Sequence, residues 1–304
     1  MNSGGICDVH LGVDGPVEST VKLSSGALMP RVGFGTAHLR LQSTASTEQA
    51  LRVGYRHIDS AQSRLWYRED LVGAGIKESK FPREELFLTS KLHPTDLGYN
   101  STMEKFDVSL KELGTDYLDL FLLHYSQCWD SVCENGVAPE VEGTWQDSWR
   151  ALEELVRQGK VKDIGVSNFS IEELDQLLKM AKVRPSVVQG PSDILNPNSL
   201  VQKYCKLHGI QFVAYSSLGT LHTKKNPGHN PVLTNPVVLD LAKKLGVTPA
   251  QVLLRWGLQK GQVVIPRSTN EQRVRENLDL FSFALSEEAM AQLDALDVEK
   301  VESG

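Results

Sequence analysis

Three ionisable residues stand near the ends of three apolar segments that follow one another along the chain. Asp59 lies in HIDSA at 57–61, Lys91 in LFLTSKL at 86–92 and His124 in LDLFLLHY at 118–125. Singly, the aspartate could cap a helix, the lysine could be a solvated strand end and the histidine could be a core residue. Together they would meet in one pocket, where a buried lysine needs a carboxylate partner. These residue types suit general acid–base catalysis, and a lysine can also form a Schiff base.

Such side chains need a scaffold that brings strand ends together. Eight short apolar segments have strand character, at 32–36, 57–61, 86–92, 118–125, 161–168, 186–190, 211–216 and 263–268, with amphipathic helical stretches between them. Strands that are apolar on both faces and alternate with helices predict a parallel sheet. Eight such units predict the α/β fold class and a closed (β/α)8 TIM barrel. A doubly wound sheet is less favoured because no GxGxxG follows the first strand.

The boundaries of the barrel follow from the flanking segments. The stretch TVKLSSGALMPRVGF predicts an N-terminal β-hairpin that turns at Ser24, Ser25 and Gly26. We predict a loose segment over residues 1–18 and a single barrel domain over residues 19–304. Two long connections, at about 126–143 and 217–235, each follow a strand. We therefore expect them at the carboxyl end of the barrel, where barrel enzymes build their sites.

The composition excludes several classes of protein. Of 304 residues, 32 are basic and 38 acidic, and the net charge of −6 comes without a basic stripe, which argues against a nucleic-acid partner. No run approaches the ~20 apolar residues of a membrane span, and the start of the chain lacks a secretory signal. Cys128 and Cys133 could pair locally, but four cysteines without a matching histidine or cysteine pair favour free thiols and no metal site. The sequence therefore predicts a reduced, cytoplasmic protein.

From about residue 20 to residue 298 the chain resembles the aldo-keto reductase family, including its NADPH-dependent aldose and aldehyde reductases. The resemblance is carried by ordered blocks with near-family spacing: GFGT at 33, YRHIDSA at 55, FLTSKL at 87, LDLFLLH at 118, GKVKDIGVSNF at 159, AYSSLG at 214 and VVIPRSTNEQRVRENL at 263. It implies a barrel that binds NADPH in an extended pose and reduces aldehydes or ketones by direct hydride transfer. The expected partner is a small carbonyl substrate, and the expected state is a monomer.

The resemblance assigns catalytic roles to Asp59, Lys91 and His124, with a tyrosine as the proton donor. The lysine ammonium, oriented by the aspartate, is expected to lower the pKa of the donor. In the family the tyrosine follows the aspartate by five residues, a position that Arg64 occupies here in the run DSAQSRLWYREDLVG. A two-residue insertion would bring Tyr67 into the donor position instead. We therefore predict Tyr67 as the donor.

The resemblance also implies a cofactor pocket made of strand ends and the last helix. Polar strand ends would bind the nicotinamide carboxamide, a tyrosine would stack on its ring, and two arginines with a serine would hold the adenosine 2′-phosphate. A local pair between Arg273 and Glu276 on a surface helix is the alternative for part of this set. The residues expected to contact the cofactor are Gly35, Thr36, Asp59, Ser167, Asn168, Gln189, Tyr215, Ser216, Leu218, Arg267, Ser268, Arg273, Glu276 and Asn277.

For the substrate we predict contacts with Phe34, Trp66, His124 and Trp129, and Trp145 is a further candidate for an apolar wall. The run VVQGPSDILNP keeps only the glutamine and a later proline of the family block at the sixth strand, which weakens inference about the substrate by analogy. Two other functions stay open at this point. One is a cofactor-binding sensor with weak or no reductase activity, suggested by Arg64 at the usual donor spacing. The other is an aldolase-type barrel with Lys91 as the nucleophile.

Overall fold

The structure is a computed structural model that describes residues 17–62, 65–128 and 141–297. A two-stranded antiparallel hairpin, β1 (Thr20–Lys22) and β2 (Leu28–Pro30), precedes a sheet of eight parallel strands. These are β3 (Phe34–Gly35), β4 (His57–Asp59), β5 (Phe87–Leu92), β6 (Leu118–Leu123), β7 (Val161–Ser167), β8 (Val187–Pro191), β9 (Gln211–Tyr215) and β10 (Val263–Val264). Each strand pairs with the next in chain order. The hairpin and all eight predicted strands are confirmed.

Backbone hydrogen bonds between the first and last strands close this sheet into a barrel. The Gly33 nitrogen donates to the Val264 carbonyl at 2.8 Å, and the Gly35 nitrogen donates to Pro266 at 3.0 Å. A Cβ at Gly35 would lie 2.8 Å from the backbone oxygen of Ile265. The seam therefore requires a residue without a side chain at this position. The (β/α)8 architecture is as predicted.

Helices cover the outside of the barrel. They are α1 (Ser43–Val53), α2 (Glu69–Ser79), α3 (Tyr99–Leu113), α4 (Trp145–Arg157), α5 (Ile171–Met180), α6 (Ser199–His208), α7 (Thr220–Lys225), α8 (Pro236–Leu245), α9 (Pro249–Gln259), α10 (Glu271–Leu278) and α11 (Glu287–Asp294), with short 3-10 helices at Arg40–Gln42, Arg83–Glu85 and Pro94–Asp96. Capping boxes begin three of them, at Thr144, Ser170 and Thr248. A large core lies between these helices and the strands.

A second core fills the barrel and is closed at its amino end by the hairpin. Leu23 and Met29 of the hairpin join apolar side chains that the strands turn inward, such as Leu120 and Val213. Ser25 caps this end further because its hydroxyl hydrogen-bonds the buried carboxylate of Asp163 on β7. With this end closed, the carboxyl ends of the strands are the place where a ligand can enter.

Some sequence predictions concern segments at the edge of what the structure describes. The predicted loose segment lies almost entirely outside the described residues and stays a prediction. The connection at 217–235 contains α7, whereas most of the connection at 126–143 lies outside the described residues. Cys128 is disulfide-bonded, which corrects the expectation of a free thiol there, and Cys205 is a buried free thiol. None of the described helices is long and apolar enough to span a membrane.

Candidate active site

Asp59 and Lys91 form a buried ion pair inside the barrel. In the parallel register Asp59 lies beside Thr89, so Lys91, two residues further along β5, projects to the same face. The Lys91 ammonium donates to Asp59 Oδ1 at 2.6 Å and to the Ser60 carbonyl at 2.8 Å, and its side chain is fully buried. An ammonium held by two acceptors is suited to a fixed positive charge. It is poorly suited to the free amine that a Schiff-base mechanism needs.

His124 lies directly after β6 and lines the same region. Burial, followed by the charges of Lys91 and His93, holds the pKa of His124 well below its usual value. Its Nδ1 is buried and has no hydrogen-bond partner among the described residues. The imidazole is therefore neutral at physiological pH, and it retains a ring nitrogen that can hydrogen-bond a ligand.

Tyr67 lies against both of these groups. The Lys91 ammonium is 5.5 Å from the centroid of the Tyr67 ring, and the His124 ring centroid is 6.0 Å away in an edge-on arrangement. Tyr67 belongs to the segment between β4 and α2, of which residues 63–64 lie outside the described residues, and Arg64 with them. The structure thus brings Tyr67, Lys91, His124 and Asp59 into one cluster.

The pKa of Tyr67 does not follow the expected direction. Burial raises it well above the ordinary value for a phenol, the charge of Asp59 adds to the rise, and Arg267 opposes it. The predicted lowering by Lys91 is therefore wrong for the protein alone. The physical reason is that Asp59 neutralises the lysine charge at close range while desolvation penalises the phenolate. Tyr67 consequently keeps its proton throughout the physiological range.

An open cavity surrounds this cluster at the carboxyl end of the barrel. Its volume, counted as the space open to the centres of water-sized molecules, is about 220 Å³. Among the predicted site residues, those that line it are Gly35, Thr36, Asp59, Trp66, Tyr67, His124, Asn168, Gln189, Tyr215, Ser216, Leu218 and Arg267. The cavity therefore gathers residues from strand ends all around the barrel.

The amide side chains of the cavity are oriented by hydrogen bonds to the residues around Asp59 and His124. The Tyr215 hydroxyl donates to Asn168 Oδ1 at 2.7 Å, and Asn168 Nδ2 donates to the Ser167 hydroxyl at 3.0 Å and the His124 carbonyl at 3.1 Å. Gln189 Nε2 donates to Asp59 Oδ2 at 2.9 Å. Ser167 is fully buried behind Asn168. These hydrogen bonds fix the orientation of the Asn168 and Gln189 amide groups.

Three non-glycine residues of the lining have backbones in the left-handed region. They are His38 at φ 59°, Asn168 at φ 61° and Ser216 at φ 58°. Such conformations are costly and tend to occur where function requires them. Next to Ser216, the Ser217 hydroxyl is buried with no partner among the described residues. This rim therefore combines strained backbone with an unused hydrogen-bonding group.

Positive charge collects at one side of the mouth. Arg267 and Lys224 line the cavity, and the pKa of His38 is lowered by burial and then by Lys224, Arg267 and Arg40. Lys224 was not predicted, because a lysine in a polar connection has no distinguishing signal. Tyr125, which follows His124 and lines the cavity, was not predicted either, because the sequence shows it only as an aromatic residue at a strand end.

The other residues predicted to contact the adenosine end lie outside this cavity, on and before α10. Arg273 is exposed and forms no ion pair with the described residues, and Glu276 accepts a hydrogen bond from Gln272. The alternative pairing of Arg273 with Glu276 is therefore not what the structure contains. Asn277 is buried, and Ser268 accepts a hydrogen bond from the Asn270 nitrogen.

Two predicted apolar wall residues belong to the core instead. Phe34 is 1% exposed and packs edge-on against Tyr55, because its neighbour Gly35 is the residue of β3 that lines the cavity. Trp145, the first residue of α4, packs against Phe169. Trp66 does line the cavity, and Trp129 lies outside the described residues.

Comparisons with known proteins agree with this geometry. The model of the aldo/keto reductase family matches residues 31–298. Glyoxal reductase of Bacillus subtilis is 40% identical over 283 residues, which cover 92% of this chain and 94% of that protein. Aldo-keto reductase family 1 member A1 of Rattus norvegicus is 39% identical, with coverage of 92% and 89%.

A solved structure gives the same result. The crystal structure of the Bombyx mori aldo-keto reductase in complex with NADP superposes with a TM-score of 0.84 at 30% identity, covering 91% of this chain and 92% of that one. The family uses nicotinamide cofactors, and its members are oxidoreductases that act on carbonyl groups. The chain belongs to the aldo/keto reductase family.

Proposed function

We propose that this protein reduces aldehydes or ketones to alcohols with NADPH, and that Tyr67 gives the proton. The observation that carries the proposal is the position of a protonated phenol between a buried ammonium and a neutral imidazole, on the wall of an open cavity. A carbonyl that gains a hydride at carbon needs a proton at oxygen, and these groups can supply and stabilise it.

The chemistry of the cavity fits a nicotinamide dinucleotide. The amides of Asn168 and Gln189 match a carboxamide, and the Ser217 hydroxyl, which has no hydrogen-bond partner among the described residues, is available to a phosphate oxygen. Lys224 and Arg267 supply positive charge at the mouth for the phosphates. Arg267, Ser268 and Arg273 would hold the 2′-phosphate that distinguishes NADPH from NADH. When bound, the nicotinamide supplies the hydride.

The side chains of the protein perform the remaining work. The Tyr67 hydroxyl donates its proton to the carbonyl oxygen and becomes a phenolate, which then takes a proton from solvent. The Lys91 ammonium stabilises that phenolate, and Asp59 holds the ammonium in place through its 2.6 Å contact. His124, neutral because its pKa is lowered by burial, hydrogen-bonds the carbonyl oxygen and fixes its direction.

Small or aromatic carbonyl compounds are the substrates that the lining favours. Trp66 and Leu221 offer apolar surface in the same cavity as Tyr67, and such walls suit apolar groups better than highly charged sugars. The Bacillus subtilis relative is named a glyoxal reductase, and glyoxal is a small dicarbonyl, which supports the same choice.

A panel of aldehydes and ketones tests the proposal, with cofactor oxidation followed by nicotinamide absorbance. We expect small and aromatic aldehydes to be reduced, and NADPH to be preferred over NADH. Binding of NADPH without reduction of any carbonyl in the panel would contradict the proposal and favour a cofactor-binding sensor on the same fold.

A further inference from the structure

Both ends of the segment that carries Tyr67 are hydrogen-bonded to one buried serine of α3. Gln62, before the segment, donates from Nε2 to Ser109 Oγ at 2.9 Å. Ser109 Oγ donates to Glu69 Oε2 at 2.8 Å, and Glu69 is the first residue of α2, two residues after Tyr67. We propose that Ser109 is a positioning residue, which with Gln62 and Glu69 holds the Tyr67 phenol against Lys91 and His124. This inference rests on the proposed function.

The hydrogen bonds of Ser109 with Gln62 and Glu69 form a clamp, and several contacts fix its Gln62 end. The Gln62 backbone nitrogen donates to the Lys91 carbonyl at 3.1 Å, and its Oε1 accepts from the His93 nitrogen at 3.2 Å. Its Nε2 also donates to the Lys105 carbonyl of α3 at 2.8 Å. The start of the segment is therefore tied both to the strand that carries Lys91 and to α3.

The Glu69 end is tied to the same strand through a second serine. Ser90 Oγ donates to Glu69 Oε1 at 2.6 Å and accepts from the backbone nitrogen of Lys91 at 2.6 Å. Ser90 faces outward from the barrel wall, whereas Lys91 faces inward. The carboxylate of Glu69 thus joins the tyrosine segment, α3 and the strand of the catalytic lysine at one point.

Burial makes this clamp stiff. Ser90 and Ser109 are fully buried, and Glu69 is 3% exposed. A buried carboxylate that loses one of its two hydroxyl donors cannot replace it with bulk water, so each hydrogen bond constrains the others. Six residues separate Gln62 from Glu69, and a connection of that length has several conformations to be restricted. Hydrogen bonds at both of its ends restrict those conformations without touching the substrate.

The test replaces the serine and compares it with a matched serine elsewhere. Ser109→Ala removes the shared hydroxyl. Ser148→Ala is the control, because Ser148 is equally buried and hydrogen-bonds Gly98 and Thr102 near the start of α3, away from the tyrosine segment. Gln62→Met breaks the same bond from the other side at a half-buried position, in case the serine variant does not fold. Ser109→Thr retains the hydroxyl and should rescue.

Two readouts separate the clamp from the proposed function. Steady-state kinetics with a carbonyl substrate should show kcat lowered about tenfold or more in Ser109→Ala and Gln62→Met. The NADPH dissociation constant should stay within about twofold, and Ser148→Ala should keep the parent kcat. Amide hydrogen exchange of peptides covering residues 65–72, which needs no activity, should be faster in Ser109→Ala than in Ser148→Ala.

The outcomes are distinguishable. A parent protein that reduces no carbonyl, but whose residues 65–72 exchange faster in Ser109→Ala, would contradict the proposed function and support the clamp. An active parent with an unchanged kcat in both Ser109→Ala and Gln62→Met would overturn the positioning role. Equal exchange over residues 65–72 in Ser109→Ala and Ser148→Ala would overturn it as well.

Discussion

The environment of Tyr67 raises the pKa of its phenol and also contains groups that would stabilise the phenolate. The group lies where desolvation raises the pKa of the phenol, so the protonated form that the proposed donation requires dominates at neutral pH. Arg267 acts in the opposite direction and favours the phenolate that donation leaves behind. A donor with a high pKa releases its proton only where the accepting oxygen develops charge, as an oxygen does when hydride arrives at carbon.

The raised pKa gives a direct prediction for the protein without cofactor. In carbon NMR of protein labelled at tyrosine Cζ, the Tyr67 signal, assigned with Tyr67→Phe, should not titrate below the ordinary phenol value of about pH 10. The sign follows from burial, which penalises the charged form. A midpoint near neutral pH would show that Lys91 outweighs desolvation.

The effect of the Lys91–Asp59 pair on stability should be separable from its effect on turnover. Lys91→Met leaves the buried Asp59 carboxylate without its ammonium, which should cost about 3–5 kcal/mol of unfolding free energy. Asp59→Asn combined with Lys91→Met removes both charges and should restore much of that stability, measured by denaturant unfolding. Turnover should remain low in both variants while NADPH binding, followed by fluorescence, persists. Recovery of turnover in the double variant would show that Lys91 takes no part in the reaction.

Arg267 and Arg273 should determine the preference for NADPH. Replacing both by Ala should lower the ratio of NADPH to NADH affinity by more than tenfold, since each charge-assisted contact is worth about 1.5–3 kcal/mol. Arg275→Ala is the control on the same helix, because Arg275 is already paired with Glu271. Dissociation constants from fluorescence titration provide the measurement. A double variant with the parent's ratio would place the 2′-phosphate elsewhere.

Among single residues, the sequence predicted those side chains whose chemistry is unusual for their position. Asp59, Lys91 and His124 are visible because strand ends inside a barrel are otherwise apolar. Phe34 was misplaced because alternation along a two-residue strand cannot show which residue faces inward. The pKa direction of Tyr67 required three-dimensional distances, since the balance between desolvation and charge depends on them.

At the scale of elements, α2 begins with a buried glutamate, Glu69, whose pKa affects stability. Burial raises the pKa of Glu69 from 4.5 to about 7, against the hydrogen bonds from Ser90 and Ser109, with Glu112 raising it further and Lys91 lowering it. The folded protein therefore binds a proton that the unfolded chain releases. Between about pH 4.5 and pH 7 this group lowers stability as pH rises, by roughly 3 kcal/mol in total.

Glu69→Gln should remove that pH dependence, because an amide does not ionise. The thermal unfolding midpoint, followed across this pH range, should fall less steeply with rising pH than in the parent. Glu78→Gln changes an exposed glutamate of the same helix and should leave the parent slope. Equal slopes in the parent and Glu69→Gln would mean that Glu69 is ionised throughout the range.

Elements were predictable where periodicity is strong, and less so at their ends. All eight strands were found, but β10 ends at Val264 because the proline at 266 cannot donate to a ladder. The helix α7 was missed in a connection rich in Gly, Pro and Asn, where a six-residue helix has no sustained period. The hydrogen bonds of Ser109 to both ends of the tyrosine segment join residues distant in sequence, so no local pattern reveals them.

At the scale of the molecule, the closed barrel and its hairpin leave the carboxyl end of the strands as the place for the candidate site. The hairpin fills the amino end with Leu23 and Met29, so the polar residues of the interior meet at the carboxyl end. The closed barrel was predictable from eight alternating units, and the family match over residues 31–298 supports it. The disulfide at Cys128 was not predicted: a local pair with Cys133 was an open alternative, but four cysteines alone do not show which thiols approach each other.

Substitution of Tyr67 tests the central claim most directly. Tyr67→Phe removes only a hydroxyl, and Tyr204→Phe is its control, because Tyr204 loses a comparable hydroxyl that contacts Asp175 on the outer surface. Single-turnover reduction of an aldehyde with saturating NADPH should be slowed by about 10² to 10⁴ in Tyr67→Phe, the usual contribution of a positioned general acid, and unchanged in Tyr204→Phe. Full single-turnover activity in Tyr67→Phe would contradict the account.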